Sequence, residues 1–199
     1  MNANPPPGAT AGATAPKRDA ILAAALELFS ERGFYGTAVP LIAERARVGA
    51  GTLYRYFDSK EALVNALYRH WKARLVQAVT EALPADAPPQ QQFRELCRRF
   101  TRFGLSHPRA LAFLELHYHG PYLDAQSRAV DDQLIAPLVS LLEAAQRQMM
   151  VKPIAARMVL SMIYGAYVGV LRSSWAGNYP ITAADLETIE QCMWEAIRS

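Results

Sequence analysis

The sequence predicts an all-α protein, on three observations. Apolar residues recur at the i, i+3, i+4, i+7 spacing of a helix face in segment after segment, and proline and glycine punctuate the chain between those segments. No stretch shows the alternation of a half-buried strand. With 199 residues, 51% of them apolar, the chain is long enough to bury a core and too apolar to be generally disordered.

Residues 1–16 carry no charge and no period, and read as a disordered tail. From Arg18 to Arg32, the positions Ile21, Leu22, Ala25, Leu28 and Phe29 form the stripe of an amphipathic helix, which Gly33 ends. Phe34 and Tyr35 are expected to cover the small core beneath it. Thr37 reads as the N-cap of a second helix running from about Ala38 to Ala46. Pro40 lies in its first turn, and Val39, Ile42, Ala43 and Ala46 share its buried face. In a third, short helix Leu53 and Phe57 point inward, Gly51, Thr52 and Arg55 outward, with Tyr54 and Tyr56 on the flanks.

Asp58 with Glu61 reads as a capping box that starts a long helix from Ser59 to about Leu83. Its inner side is Leu63, Ala66, Leu67, Trp71, Leu75 and Val79, while His70 is a surface or packed imidazole. Pro84, Pro88 and Pro89 break it, and residues 90–106 form the next amphipathic helix through Phe93, Leu96, Cys97, Phe100 and Phe103. After the restart at Pro108, residues 109–118 make a short helix that Gly120-Pro121 closes off. A helix from about Asp124 to Met149, kinked near Pro137, precedes one that Pro153 starts and that reaches about Trp175. Thr182 caps the last helix, whose stripe is Leu186, Ile189, Met193 and Ile197.

Composition narrows the functions. The net charge of +3 is mild, but residues 17–60 carry seven Lys/Arg against five Asp/Glu, whereas residues 103–199 carry seven against nine. The two cysteines, Cys97 and Cys192, show neither metal spacing nor a CxxC pair, and each is expected as a small core residue in a reducing compartment. No basic region followed by an apolar stretch marks a signal peptide. Beyond residues 1–16, the longest uncharged run, Met158–Leu171, falls short of the roughly 20 residues that span a bilayer. A soluble, cytoplasmic protein that does not enter membranes is therefore expected. His117-x-His119 does not share a helical face and lacks a completing carboxylate or thiolate, so no metal and no cofactor are expected. Nothing resembles an activated nucleophile, a paired-carboxylate site or a phosphate loop, and the protein is not expected to be an enzyme.

Residues 37–60 carry the chemistry. An exposed face of small, hydroxyl-bearing, aromatic and cationic side chains suits a DNA groove: Arg donates two bonds to a guanine edge, Thr touches a thymine methyl, and Tyr hydroxyls reach phosphates. Spacing alone leaves equally open a helical hairpin with a solvated polar face. Residues 17–67 resemble the N-terminal DNA-binding domain of TetR-type transcriptional regulators. The matching positions are Ala25, Leu28, Phe29, Gly33, Phe34, Thr37, Ile42, Ala43, Ala46, Val48, Gly51, Thr52, Leu53, Tyr54, Tyr56, Phe57, Lys60, Glu61 and Leu63. Three positions depart from the family pattern: Arg47 stands where glycine is usual in the turn, Gly49 where serine often caps, and Ala50 where lysine is frequent.

The resemblance implies an N-terminal three-helix helix-turn-helix domain, residues 17–60, and a C-terminal helical ligand-binding and dimerisation bundle, residues 61–199. It implies DNA contacts from Lys17, Arg18, Thr37, Arg47, Gly51, Thr52, Tyr54, Arg55, Tyr56 and Lys60. It also implies a small-molecule effector in the aromatic-rich middle region, where Phe100, Phe103, Phe113, His117, Tyr118, Tyr122, Tyr164 and Tyr167 are the candidates; an apolar or aromatic molecule suits them. The same aromatics at helical spacing also fit an ordinary core. A homodimer face is expected on the last two helices, through Met158, Met162, Gly165, Gly169, Leu186, Ile189, Met193 and Ile197, although those helices could instead lie inside one domain. The function expected is a homodimeric repressor that binds palindromic operator DNA and is released by an effector. The alternative is a ligand- or protein-binding helical dimer whose DNA reader has been altered or lost at Arg47–Ala50.

Overall fold

The computed structural model describes residues 14–84, 86–116 and 119–199. Among them are nine helices: α1 (Thr14–Arg32), α2 (Val39–Arg45), α3 (Ala50–Tyr56), α4 (Lys60–Thr80), α5 (Pro89–Ser106), α6 (Pro108–Leu116), α7 (Ala125–Arg147), α8 (Ala156–Trp175) and α9 (Ala183–Ile197). No strand forms among the described residues; Val151 and Arg198 make one isolated antiparallel bridge. The chain divides into two compact units within α4, after Leu67.

The first unit packs α1, α2 and α3 together. The α1 stripe lies where its spacing puts it, with Ile21, Leu22, Ala25, Leu28 and Phe29 all buried. Val39, Ile42 and Ala43 from α2, Leu53 from α3 and Phe57 just after it complete the core. Helix α1 begins at Thr14, so the segment 14–16, expected as tail, belongs to the helix, while residues 1–13 lie outside the described residues. Phe34 covers the core as expected, but Tyr35 is 79% exposed, its ring perpendicular to that of Phe34 with centroids 5.3 Å apart.

Two helix starts differ from the sequence reading. Ala38, not Thr37, occupies the N-cap of α2 and makes no side-chain cap. Thr37 is instead buried, its hydroxyl directed to the carbonyls of Gly33 (2.8 Å) and Leu28 (3.2 Å), which ties α1 to α2. Ahead of α4, the Ser59 hydroxyl accepts the Ala62 N–H at 3.0 Å, so Ser59 takes the capping role expected of Asp58.

In the second unit α5 packs against α6, α8 and α9, and α7 packs against α8. Its core joins Phe93 and Cys97 of α5, Leu142 and Ala145 of α7, Ala156, Val159 and Tyr167 of α8, and Trp194 and Ile197 of α9. Cys97 is buried as expected, but Cys192 is exposed. Asp124 caps α7 by accepting the Ser127 N–H at 2.7 Å, and Thr182 caps α9 in a reciprocal box with Asp185. The chain end is pinned: the Lys152 N–H donates to the Ile197 carbonyl at 2.8 Å and the Ser199 N–H to the Met150 carbonyl at 3.2 Å.

Candidate nucleic-acid interface and ligand cavity

The turn between α2 and α3 closes with two hydrogen bonds. The Arg47 N–H donates to the Glu44 carbonyl at 3.0 Å and the Val48 N–H to the Ala43 carbonyl at 2.9 Å, the pairing of a Schellman motif. That motif needs a left-handed residue after the helix, and Arg47 supplies it with φ 55°. The missing glycine is thus replaced without loss of the turn, at a backbone cost of about 1 kcal/mol.

Full burial of Leu53 and Phe57 fixes which side of α3 turns outward. Gly51, Tyr54 and Arg55 are exposed, and Thr52 and Tyr56 are half-buried. A Cβ built on Gly51 meets nothing within 4 Å, so the backbone there is open to close approach. Lys17, Arg18 and Arg47 are exposed as well. The Arg18 guanidinium lies 5.6 Å from the centre of the Phe57 ring, and the Lys60 ammonium 4.2 Å above that of Phe34. Arg45 is committed elsewhere, paired with Glu27, which raises its pKa. Thr37, expected to anchor a phosphate, cannot do so: its side chain is 1% exposed and its proton is used inside the unit.

The second unit holds an apolar cavity of about 130 Å³. Phe93, Cys97 and Phe100 of α5, Leu138, Leu141 and Leu142 of α7, Leu160, Tyr164 and Tyr167 of α8, and Trp194 and Ile197 of α9 are among its walls. Of the expected effector residues it gathers Phe100, Tyr164 and Tyr167. It does not gather Phe103, which packs on Trp71 and His107, or Phe113, which packs on His119. Tyr122 is also elsewhere: His119 donates from Nε2 to the Phe113 carbonyl at 2.5 Å, leaving Nδ1 to accept the Tyr122 hydroxyl at 2.7 Å. His117 and Tyr118 lie outside the described residues. The aliphatic walls from α7 and α8 were missed, since nothing in a leucine at helical spacing distinguishes a cavity wall from a filled core.

Two residues of the cavity wall, Cys97 and Tyr167, carry polar groups under strong burial. Burial pushes the Cys97 thiol up to about 12, so it stays neutral. Tyr167 is 3% exposed; burial foremost, then the neighbouring Cys97, raises its pKa as well. Its hydroxyl has no well-formed hydrogen bond among the described residues, the weakly bonding thiol of Cys97 being its polar neighbour.

Beside α6 a charge cluster gathers around the buried Lys72. Lys72 of α4 sits 3.0 Å from Asp131 of α7 and 3.8 Å from Glu115 of α6, and the Tyr68 hydroxyl donates to Asp131 at 2.8 Å. Burial opposes the charge on Lys72, but Glu115, Tyr68 and Asp131 outweigh it and raise its pKa. Burial also raises Glu115, whose Oε1 has no hydrogen bond. No group of three or more His, Cys, Asp or Glu among the described residues could hold a metal.

On α8, Met158 and Met162 are 58% and 53% exposed, and Gly165 and Gly169, also exposed, follow on the same face. A Cβ at either glycine meets nothing within 4 Å. Leu186, Ile189 and Met193 of α9 are half-buried. Ile197, expected on a dimer face, is 3% exposed and belongs to the core of its own unit. No helix among the described residues is long and apolar enough to cross a membrane.

These units define a helix-turn-helix protein with a C-terminal helical domain. The chain belongs to the TetR family: residues 21–67 match the bacterial regulatory proteins of the tetR family, and residues 69–199 match the tetracyclin repressor-like C-terminal domain. It is 31% identical over 133 residues to the HTH-type transcriptional repressor NicS of Pseudomonas putida, covering 65% of this chain and 63% of NicS. It is 34% identical over 142 residues to the HTH-type transcriptional regulator RutR of Escherichia coli, covering 68% of this chain and 61% of RutR. The chain thus matches less than two thirds of the length of either relative. A TetR family transcription regulator from Marinobacter aquaeolei superposes with a TM-score of 0.85 at 20% identity, over 96% of this chain and all of that one. The fatty acid degradation regulator FadR of Bacillus halodurans superposes at 0.74 with 21% identity, over 90% and 95%; at these identities the likeness is one of fold.

Proposed function

We propose that the protein is a homodimeric repressor that reads two-fold symmetric operator DNA through α3 and is released when a small molecule occupies the cavity of its second unit. The observation that carries this reading is the division of α3: Leu53 is fully buried while Gly51, Tyr54 and Arg55 stand exposed on the other side. In this account Arg55 and Thr52 meet base edges, Tyr54 and Tyr56 reach phosphates or bases, and Lys17, Arg18, Arg47 and Lys60 neutralise the backbone. The intact turn at Arg47 supports a working reader over a decayed one. The exposed stripe of Met158, Met162, Gly165 and Gly169 supports pairing of α8 with its copy, since a self-complementary face of small and flexible residues lets helices approach closely. The repressor name of NicS, carried to this chain, favours repression over activation.

Ligand action follows as a population shift. A molecule that binds the DNA-competent and DNA-incompetent forms unequally moves the dimer by that difference and no more. The test is sedimentation together with salt-dependent binding to a selected duplex. A dimer whose affinity falls steeply with salt supports the reading, and a monomer with no DNA affinity overturns it.

A further inference from the structure

We infer that Phe34 is a positioning residue for DNA binding: its ring seats the Lys60 ammonium for the phosphate it meets, without neutralising it. The inference rests on Lys60 being a phosphate contact. The ammonium lies 4.2 Å from the centre of the Phe34 ring, inside the range of a cation–π attraction. Both ends of that contact are anchored in the fold. The ring is 8% exposed and stacks on Phe29 with centroids 6.1 Å apart. Lys60 is the first residue of α4, whose start is held by the Ser59 hydroxyl on the Ala62 N–H at 3.0 Å.

Charge decides what this seat is for. Arg45 is paired with Glu27 and Arg69 with Asp124, whereas no carboxylate among the described residues pairs with Lys60. A carboxylate would hold the ammonium but cancel the charge that attracts a phosphate. An aromatic face holds it and leaves the net charge whole, and lysine carries three N–H groups with which to reach a phosphate from there. The helix itself does not favour a cation at this position, since the N-terminal end of its dipole repels positive charge. Arg18 repeats the arrangement: its guanidinium is 5.6 Å from the centre of the Phe57 ring and likewise lacks a carboxylate. A side chain held in place before binding loses less freedom when the phosphate arrives.

The experiment is a double-mutant cycle on binding of the full chain to a mixed-sequence duplex at low salt, with Phe34→Leu, Lys60→Ala and the two combined. Leucine stays apolar and removes the ring. Phe34→Leu is expected to weaken binding about two- to fivefold for each subunit engaged, the worth of one exposed cation–π contact. In the Lys60→Ala background it should weaken binding no further, whereas a merely structural role would act equally in both. In the unaltered chain the Lys60 CεH2 protons should resonate upfield of an ordinary lysine, shifted by the ring current, and stay there when the duplex is added. Equal weakening in both backgrounds, an unshifted resonance, or a shift that vanishes on DNA would each overturn the inference and leave the phosphate role of Lys60 standing. Lys60→Ala binding as tightly as the unaltered chain would overturn that role and the inference with it. The resonance is read on the unaltered chain, so the test stays decisive if Phe34→Leu folds poorly.

Discussion

The Lys72 ammonium lies 3.0 Å from the Asp131 carboxylate, joining α4 to α7 inside the second unit. Lys72 also faces the half-buried Glu115, 3.8 Å away, so one cation serves two carboxylates. Replacing Lys72 with Ala leaves both without a partner and should cost about 3 kcal/mol of stability at pH 7. Part of that loss should return on acidification. Burial already holds the folded-state pKa of Glu115 above its ordinary value, and loss of Lys72 raises it further. A raised carboxyl contributes stability that is present at low pH and lost as pH rises through its folded pKa. Urea unfolding of Lys72→Ala at pH 5 and pH 7 should therefore show a smaller deficit at pH 5.

Arg47 couples a backbone cost to a charge. In the left-handed region at φ 55°, glycine relieves about 1 kcal/mol, so Arg47→Gly should raise thermal stability. The same change removes an exposed cation beside α3. DNA affinity should fall, and the slope of its logarithm against the logarithm of salt should shrink by about 1. Stability and binding moving in opposite directions is the expected signature.

Thr37→Val tests the inward hydroxyl. Loss of its bond to the Gly33 carbonyl should cost about 1–2 kcal/mol in thermal unfolding. At temperatures where the variant stays folded, DNA affinity should be unchanged, because the side chain never reaches the surface. A loss of affinity without loss of stability would restore Thr37 to the interface.

Alkaline stability reports on the cavity wall. The Cys97 thiol rises from an ordinary 9.0 to about 12 in the folded chain. Between those values the unfolded chain has lost this proton and the folded chain still holds it, so stability falls as pH rises from 9 toward 12. Tyr167, raised in the same direction, adds to the fall. In Cys97→Ala the decline of unfolding free energy with pH should be shallower over that range.

Periodic burial was the part of the fold most legible in sequence. Ile21, Leu22, Ala25, Leu28 and Phe29 are buried because a single stripe on α1 meets a single core. Local choices between neighbours were not legible. Asp58 and Ser59 are both cap-competent, and spacing alone does not select Ser59. Thr37 satisfies equally the grammar of a cap and that of an inward hydroxyl, a choice made by the carbonyls of Leu28 and Gly33. Within the cavity, Phe100, Tyr164 and Tyr167 were visible as aromatics, while Leu138, Leu141 and Leu160 carry no chemical mark. Phe113 drew attention for its chemistry and proved to be core. Ile197 was expected on a dimer face, but it joins a core cluster with Phe93, Val151 and Val159, residues far from it along the chain.

Selection of random duplex DNA by the purified protein, at near-physiological salt, tests the account most directly. The unaltered chain should enrich a two-fold symmetric sequence with half-sites about one helical turn apart or a multiple of it. Arg55→Ala, which leaves the buried Leu53 and Phe57 in place, should bind with similar salt dependence but relaxed preference at one position in each half-site. A folded dimer that enriches nothing, or an Arg55→Ala variant that keeps the full preference, would contradict the reader assigned to α3.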